Sequence, residues 1–334
     1  MKLLIDHPWP FALAHGGLQT QIEQTRAALE RKGIEVEYVR WWDDRQTGDL
    51  IHYFGRPSAE YITFAQAKGM KVVFNELLTG LGSRSAQARF LQKSLIRVSQ
   101  KLLPKAFTSR MAWDAYQKAD TVIALTGWEA ELMRTMFDAD AAKTVVVPNG
   151  VEAVFFRTDP SQPKGDYLVS TATIDPRKRV LELAEAAALA KIPVWIVGKP
   201  YAETDAYYLE FRAAQKKHRE FIRYEGAISD RSQLAAIYRE ARGFVLLSQR
   251  ESLSLSALEA AAAGCSYLLS DQPWARSVFG TSAVYASPAA RGESLAGVLR
   301  DFYEKAPGLR PEFQPFTWDE IGGQLQSLYQ RLLR

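Results

Sequence analysis

Two glutamates eight positions apart, Glu251 and Glu259, lie in the stretch FVLLSQRESLSLSALEAAAAGCSYLLSD, residues 244–271. An apolar strand ends at Leu247 and a polar turn follows. A helix is then expected to open near Ser254 or Ser256, both good N-cap residue types. Its first amides would point into the turn at the positive end of the helix dipole, so phosphate can be held there without a lysine. In a continuous helix the two carboxylates would stand about 12 Å apart along the axis. Glycosidase carboxylate pairs are closer, about 5–9.5 Å. The spacing therefore suits gripping two ends of an extended ligand better than flanking one bond. A second segment, STATIDPRKRV from Ser170 to Val180, sets Arg177, Lys178 and Arg179 side by side after an apolar run. A third, His15-Gly16-Gly17, precedes the first helical period. Its two glycines let backbone approach a ligand closely. No G-x-G-x-x-G fingerprint opens either half, which argues against a nicotinamide or flavin enzyme.

These segments need strands and helices to hold them. With 334 residues, two domains are expected. Candidate strands in the first half are 2–6, 35–39, 49–54, 71–75, 121–125 and 144–147; in the second half they are 167–170, 194–197, 221–224, 243–247, 266–270 and 283–286. Most are continuous apolar runs, as in parallel strands buried on both faces. Helical periods lie between them; Leu18, Ile22, Thr25 and Leu29 share one face. Such alternation predicts doubly wound α/β sheets with right-handed crossovers. The turn-rich segment FFRTDPSQPK, residues 155–164, marks a break between two Rossmann-like domains. Ligands of these sheets bind beyond the carboxyl ends of the strands, so the site is expected in a cleft that the two domains face.

The Glu-x7-Glu element and the EAAAAGCSYLLSD that follows it resemble the donor-site signature of retaining GT-B glycosyltransferases, specifically glycosyltransferase family 4 (glycosyl transferases group 1). The resemblance implies that Glu251 contacts hydroxyls of the transferred sugar and that Glu259 binds the nucleotide ribose. It implies that backbone amides of Ser252, Leu253, Leu255 and Ser256 hold the sugar and the diphosphate. STATIDPRKRV resembles the family's Gly-Arg-x4-Lys-Gly pattern. Lys178 falls on the diphosphate-binding lysine and is implied to be catalytic with Glu251. Ala172 stands for the first glycine, Thr173 for the arginine and Arg179 for the last glycine. Either Arg177 or Arg179 would then replace the absent cation. Gly16 and Gly17 fall on the loop that borders the donor phosphates, with His15 on the acceptor side. Gly198, in Val197-Gly198-Lys199-Pro200, and Ile228, in Glu225-Gly226-Ala227-Ile228, fall on the turns nearest the ribose and base. Val147-Pro148-Asn149-Gly150-Val151 resembles the end of the first domain, and 316–333 the last helix that crosses back to it.

The fold implied is α/β, GT-B: an acceptor domain at 1–155 joined by the helix 317–334, and a donor domain at 156–316. The reaction implied moves a sugar from a nucleotide-diphosphate sugar to a glycan or lipid-linked saccharide in polysaccharide biosynthesis. It retains anomeric configuration and uses no bound metal and no cofactor besides the donor. Whether the base is that of UDP or GDP stays open, as do the sugar, the acceptor, the linkage and the oligomeric state. Many family members have a histidine after the fourth strand; here that place reads Val73-Phe74-Asn75-Glu76-Leu77, so Asn75 or Glu76 would face sugar or acceptor, or form a turn with no role. The other histidines, His7, His52 and His218, have no role assigned. Two rival readings remain: an epimerase or hydrolase of the same fold, and a nucleotide-sugar-binding protein without turnover.

From Leu77 to Trp113 there is no acidic residue, while Arg84, Arg89, Lys93, Arg97, Lys101, Lys105 and Arg110 all fall inside. Arg89, Lys93, Arg97 and Lys101 form one helical row, and Leu91, Leu95, Val98 and Leu102 another beside it. Such a helix over 84–110 either lies on anionic lipid or is an ordinary helix with a solvated basic face and an apolar core face. The net charge of +4 is mild and accompanies no nucleic-acid recognition module, so nucleic acid is not expected. One cysteine, Cys265, excludes a disulfide framework and a zinc site built on several thiolates. The opening MKLLIDHPWPF reads as a first strand, and no apolar run approaches the ~20 residues of a membrane span. A cytoplasmic protein is the expectation, with attachment to the cytoplasmic membrane face left open.

Overall fold

Continuous apolar runs leave no solvated face, so these strands are stable only in sheets covered on both sides. A computed structural model describes residues 1–12, 16–103, 111–156, 163–309 and 311–334. It pairs the runs into two six-stranded sheets. The first contains β1 (Lys2–Asp6), β2 (Glu35–Tyr38), β3 (Leu50–Phe54), β4 (Lys71–Asn75), β5 (Thr121–Ala124) and β6 (Thr144–Val146) in the order β2-β1-β3-β4-β5-β6. The second contains β7 (Leu168–Thr171), β8 (Val194–Val197), β9 (Ile222–Tyr224), β10 (Gly243–Leu246), β11 (Tyr267–Ser270) and β12 (Val284–Ala286) in the order β12-β11-β10-β7-β8-β9. All of these ladders are parallel. Each strand anticipated from the sequence is present, with ends moved by a residue or two.

The chain divides into two units, Met1–Asn149 with Trp318–Arg334, and Gly150–Thr317. The division falls inside Val147–Val151, ahead of the turn-rich segment where a break was expected. Residues 152–155 belong to the second unit because they are bonded into it. Glu152 accepts from Arg231 Nε at 2.6 Å, the Val154 carbonyl accepts from Arg239, and the Arg231 guanidinium lies 4.5 Å above the Phe155 ring. The two connecting segments pair with each other: Val151 N donates to the Phe316 carbonyl at 2.8 Å, beside a parallel bridge between Val151 and Thr317.

In the first unit α1 (Gly17–Arg31) buries Ile22, Thr25, Ala28 and Leu29. After it come α2 (Ala59–Ala67), α3 (Thr79–Gly82), α4 (Ala86–Leu102), α5 (Ala115–Lys118) and α6 (Gly127–Phe137). Thr126 caps α6, and Glu129 accepts the Leu125 and Leu78 amides at 3.1 and 2.9 Å, tying the helix start to the chain after β4. Among the described residues no helix is long and apolar enough to cross a membrane. In the second unit the helices are α7 (Val180–Ala190), α8 (Ala206–Lys217), α9 (Arg231–Glu240), α10 (Leu255–Ala262), α11 (Pro273–Phe279) and α12 (Gly292–Lys305).

The final helix, α13 (Trp318–Leu332), returns to the first unit and packs on α1. It buries Trp318, Ile321, Leu325, Leu328 and Tyr329. The Tyr329 hydroxyl meets His52 Nδ1 at 2.7 Å inside the core. Burial pushes the His52 imidazole down from 6.5 to about 3, so it is neutral at pH 7. The unfolded chain binds a proton at His52 that the folded one refuses. Its contribution is therefore whole above pH 6.5 and is lost as pH falls from 6.5 toward 3. Urea unfolding at pH 7 and pH 5 checks this: wild-type stability should fall with acid by up to about 1.4 kcal/mol per pH unit from this group, and His52→Gln should fall less steeply.

Candidate functional site

In the second sheet β8 and β10 lie on opposite sides of β7. Chain connections leave β7 and β10 in opposite directions, which opens a crevice at their carboxyl ends. The two segments singled out by chemistry follow those two strands. The turn after β7 is closed by Asp175, which accepts the Lys178 amide at both its side chain and its carbonyl, 3.0 Å each. The turn after β10 is joined to it by the Gln249 amide, which donates to the Arg177 carbonyl at 2.8 Å. Arg177 Nη1 reaches the Arg250 carbonyl at 3.3 Å.

These bonds bring Lys178 and Glu251 into a direct ion pair, with side chains 12% and 9% exposed. Ser254 caps α10, its hydroxyl accepting the Ala257 amide at 3.4 Å. The first-turn amides of Leu255 and Ser256 have no intrahelical carbonyl to meet. Ser248 and Ser252 add two hydroxyls that are buried and lack a partner among the described residues. Sequence reasoning used the Ser252 amide and missed Ser248; a serine between a buried strand and a turn carries no distinguishing pattern. The turn thus gathers one ammonium, one carboxylate, helix-opening amides and two unsatisfied hydroxyls. That donor set fits a polar anion with hydroxyls attached.

Glu259, on α10, is not a surface residue. Arg231 and Tyr238 each donate to its carboxylate, Tyr238 at 3.3 Å. The Tyr238 hydroxyl also bonds Thr171 at the end of β7. Burial raises the Glu259 carboxyl above its usual range, with Arg231 opposing. Each carboxylate oxygen therefore already serves one donor. Among the described residues no three His, Cys, Asp or Glu side chains are grouped to hold a metal ion.

The structure separates the two arginines that could replace the missing cation. Arg179 has φ 57° and ψ 38°, the left-handed region, which accounts for glycine at this place in the family pattern. Its side chain is fully buried and donates to the Pro288 carbonyl at 2.8 Å and to that of Ala290. It locks the start of α7 to the loop after β12 and is no phosphate ligand. Arg177 is 37% exposed and bonds Asp175 at 3.4 Å, beside Lys178. Thr173 is half-buried in the same turn.

Gly198 serves packing. A Cβ there would stand 1.8 Å from the Ala172 carbonyl oxygen, and φ is +151°. Its amide donates to the Gly226 carbonyl at 3.0 Å and its carbonyl accepts from the Tyr224 hydroxyl at 3.1 Å. Ile228 is half-buried in the loop after β9.

The first-unit expectations fare differently. Gly16 is the N-cap of α1 at φ 140°, and Gly17 is its first residue. His15 lies outside the described residues. Asn75 faces the core, 2% exposed, with weak bonds to Gln21 and the Ile123 carbonyl at 3.4 and 3.5 Å. Glu76 is held by Arg56 at 2.7 and 2.9 Å and by the Tyr116 hydroxyl. Both are thus committed to the fold: Asn75 because it ends a strand covered on both faces, Glu76 because the half-buried Arg56 needs a counter-charge. Sequence reasoning also passed over Trp9, Trp41 and Trp42, which are 66%, 78% and 83% exposed. They follow β1 and β2, adjacent strands that end at the same edge of the sheet. The visible signal was the Trp41-Trp42 doublet beyond a strand end.

Sheet order, switch point and polar turn together define a GT-B fold of two Rossmann-like domains. Residues 153–310 match the family model of glycosyl transferases group 1, and residues 37–150 match the glycosyl transferase 4-like domain. The chain belongs to the group 1 glycosyltransferases of the family 4 type. It is 26% identical over 254 residues to the D-inositol 3-phosphate glycosyltransferase of Jonesia denitrificans, a match spanning 64% of this chain and 58% of that one. Its fold is similar to that of Anabaena HepE, solved in complex with UDP, with TM-score 0.69, 16% identity and coverage of 99% of this chain and 100% of the other. Sucrose-phosphate synthase of Thermosynechococcus elongatus is similar at TM-score 0.69 and 18% identity, with 99% of each chain covered.

The contrast between the arginines is testable by thermal and urea unfolding. Arg179→Ala strands two buried carbonyls and should cost about 2–4 kcal/mol. Arg177→Ala, at the surface, should stay within about 0.5 kcal/mol of wild type.

Proposed function

We propose that the second unit binds a nucleoside diphosphate sugar at the β7/β10 crevice and that the enzyme transfers the sugar to a saccharide acceptor held by the first unit. The observation that carries this reading is the buried Lys178–Glu251 pair beside a helix start and two unpartnered serine hydroxyls. As the glycosidic C–O bond breaks, positive charge grows on the sugar and negative charge on the departing diphosphate. Lys178, Arg177 and the amides at the start of α10 meet the negative charge. Glu251 accepts from sugar hydroxyls and fixes the ring. Lys178 exchanges the carboxylate for phosphate when the donor enters, and the carboxylate is then free for the sugar.

Retention follows if the acceptor oxygen attacks from the face the diphosphate leaves. The acceptor's proton passes to a leaving phosphate oxygen, so no protein nucleophile is consumed. Charge on the diphosphate is balanced by protein cations and amides, the task a divalent metal performs elsewhere. Glu259 offers the ribose its remaining lone pairs, and the backbone around Ile228 lies nearest the base. The UDP seen with Anabaena HepE makes a uridine donor the first to test. On the acceptor side, Trp9, Trp41 and Trp42 present flat apolar faces on which sugar rings stack.

Glu251→Gln tests the donor assignment. It should lower kcat by about a hundredfold or more while UDP or GDP affinity, read by calorimetry, changes less. Normal turnover in this variant would refute the role. Hydrolysis or epimerisation of the nucleotide sugar, unaltered by saccharides, would favour the rival chemistries. Trp41→Ala/Trp42→Ala should raise the acceptor KM with donor affinity unchanged.

A further inference from the structure

Glu259 meets its ligand already bonded on both oxygens. Arg231 Nη2 donates to Oε1, and the Tyr238 hydroxyl donates to Oε2 at 3.3 Å. The side chain is still 10% exposed, so the carboxylate is not sealed. Each oxygen of an ionised carboxylate accepts two hydrogen bonds, which leaves room for one ligand hydroxyl on each. A protonated carboxyl loses that symmetry, because one oxygen becomes a donor.

Arg231 is fixed from several sides. Asp230 caps α9 by accepting the Ser232 and Gln233 amides at 2.8 and 3.3 Å, and Arg231 is the first residue of that helix. Its Nε donates to Glu152 at 2.6 Å, and its guanidinium carbon lies 4.5 Å from the centre of the Phe155 ring. Phe155 packs edge-on against Tyr238 with ring centres 5.9 Å apart, and the Tyr238 hydroxyl also bonds Thr171 at the end of β7. One aromatic ring therefore supports both donors to Glu259. A counter-charge alone needs no such support; a planar fork that aims a carboxylate does.

The groups facing Glu259 come from several elements. Burial raises its carboxyl, Arg231 and Tyr238 of α9 oppose the rise, and Glu152, which begins the second unit's first turn, adds to it. Behind Tyr238 lies Cys265, whose thiol donates to the Tyr238 carbonyl at 2.7 Å. Burial, with Glu259 next, raises the Tyr238 phenol, so it stays a donor. Without Arg231 the burial and the Glu152 charge remain, and Glu259 would keep its proton to higher pH.

We propose that Arg231 is a positioning residue for nucleotide recognition, holding Glu259 as an oriented carboxylate whose two oxygens accept from the 2′- and 3′-hydroxyls of a ribose. The inference rests on the reading of Glu259 as the ribose-binding group. It makes ribose, as against 2′-deoxyribose, the sugar that this end of the site selects.

Calorimetric titration of the full chain with UDP and with 2′-deoxy-UDP between pH 6 and pH 9 tests it; GDP and its 2′-deoxy form take their place if the protein binds guanine. Both ligands carry the same diphosphate, so its own protonation cancels in the ratio of their affinities. Wild type should prefer the ribonucleotide about tenfold or more at every pH. Glu259→Gln should bring the ratio close to one throughout. Arg231→Gln should lower it most at pH 6 and recover it as pH rises and the Glu259 carboxyl ionises. Arg231→Lys, which keeps the charge and loses the fork, should sit several-fold below wild type with no dependence on pH, and it decides the matter if Arg231→Gln does not fold. A merely structural arginine would change melting temperature and leave the ratio alone. Wild type that binds neither UDP nor GDP would overturn the donor reading. A Glu259→Gln ratio equal to wild type would overturn the ribose assignment. With both of those intact, an Arg231→Lys ratio equal to wild type, or an Arg231→Gln ratio that does not change with pH, would overturn the role of Arg231 alone.

Discussion

An ammonium and a carboxylate held together out of water constrain the whole second unit. Lys178 and Glu251 are 73 residues apart in the chain and touch in the fold. Removing either would leave the other buried and unpaired, which is far more costly than losing a surface contact. The pair exists because β7 and β10 are neighbours in the sheet and each feeds its turn into the same crevice. Backbone does the clamping: the Gln249 amide to Arg177 carbonyl bond fixes one turn against the other before any side chain acts. A charged site is thereby built on rigid strand ends, where small errors of position are least tolerated.

The remaining buried charges are consumed by the architecture. Arg231 bridges Glu152 and Glu259, anchoring the first residues of the second unit to α9 and α10. Arg179 seals the loop after β12, and Arg56 neutralises Glu76 under Tyr116. Glu259 and Glu76 have protein donors on both carboxylate oxygens, and Arg179 donates through Nη1 and Nη2 while its Nε has no hydrogen-bond partner among the described residues. In the crevice turn Ser248 and Ser252 keep buried hydroxyls without a partner among the described residues. A buried hydroxyl costs free energy until a ligand or water completes its set.

Exposure divides the first unit in the same way. Its core accepts Asn75, His52 and Tyr329 in hydrogen-bonded positions, while α4 leaves a ridge of aliphatic side chains in solvent. The hydrophobic effect acts on that ridge as on any other apolar surface.

Among the described residues, periodicity located the central strands because residues buried on both faces must be apolar without interruption, while edge strands such as β2 and β9 admit the exposed Glu35 and Arg223. Local sequence also placed the turn after β10, since a strand, a polar turn, a serine cap and small helical residues are contiguous and need no distant partner. Distant partners settled the rest. Whether Arg177 or Arg179 faces the crevice depended on carbonyls at 288 and 290, more than a hundred residues away. Glu76 is paired by Arg56 twenty residues away in the chain, and Gly198 packs against the Ala172 carbonyl, neither of which local sequence announces. The helical spacing of Leu91, Leu95, Val98 and Leu102 was legible from the outset; which way that row faced was not, because a helix has the same period whether its apolar side meets a core or water.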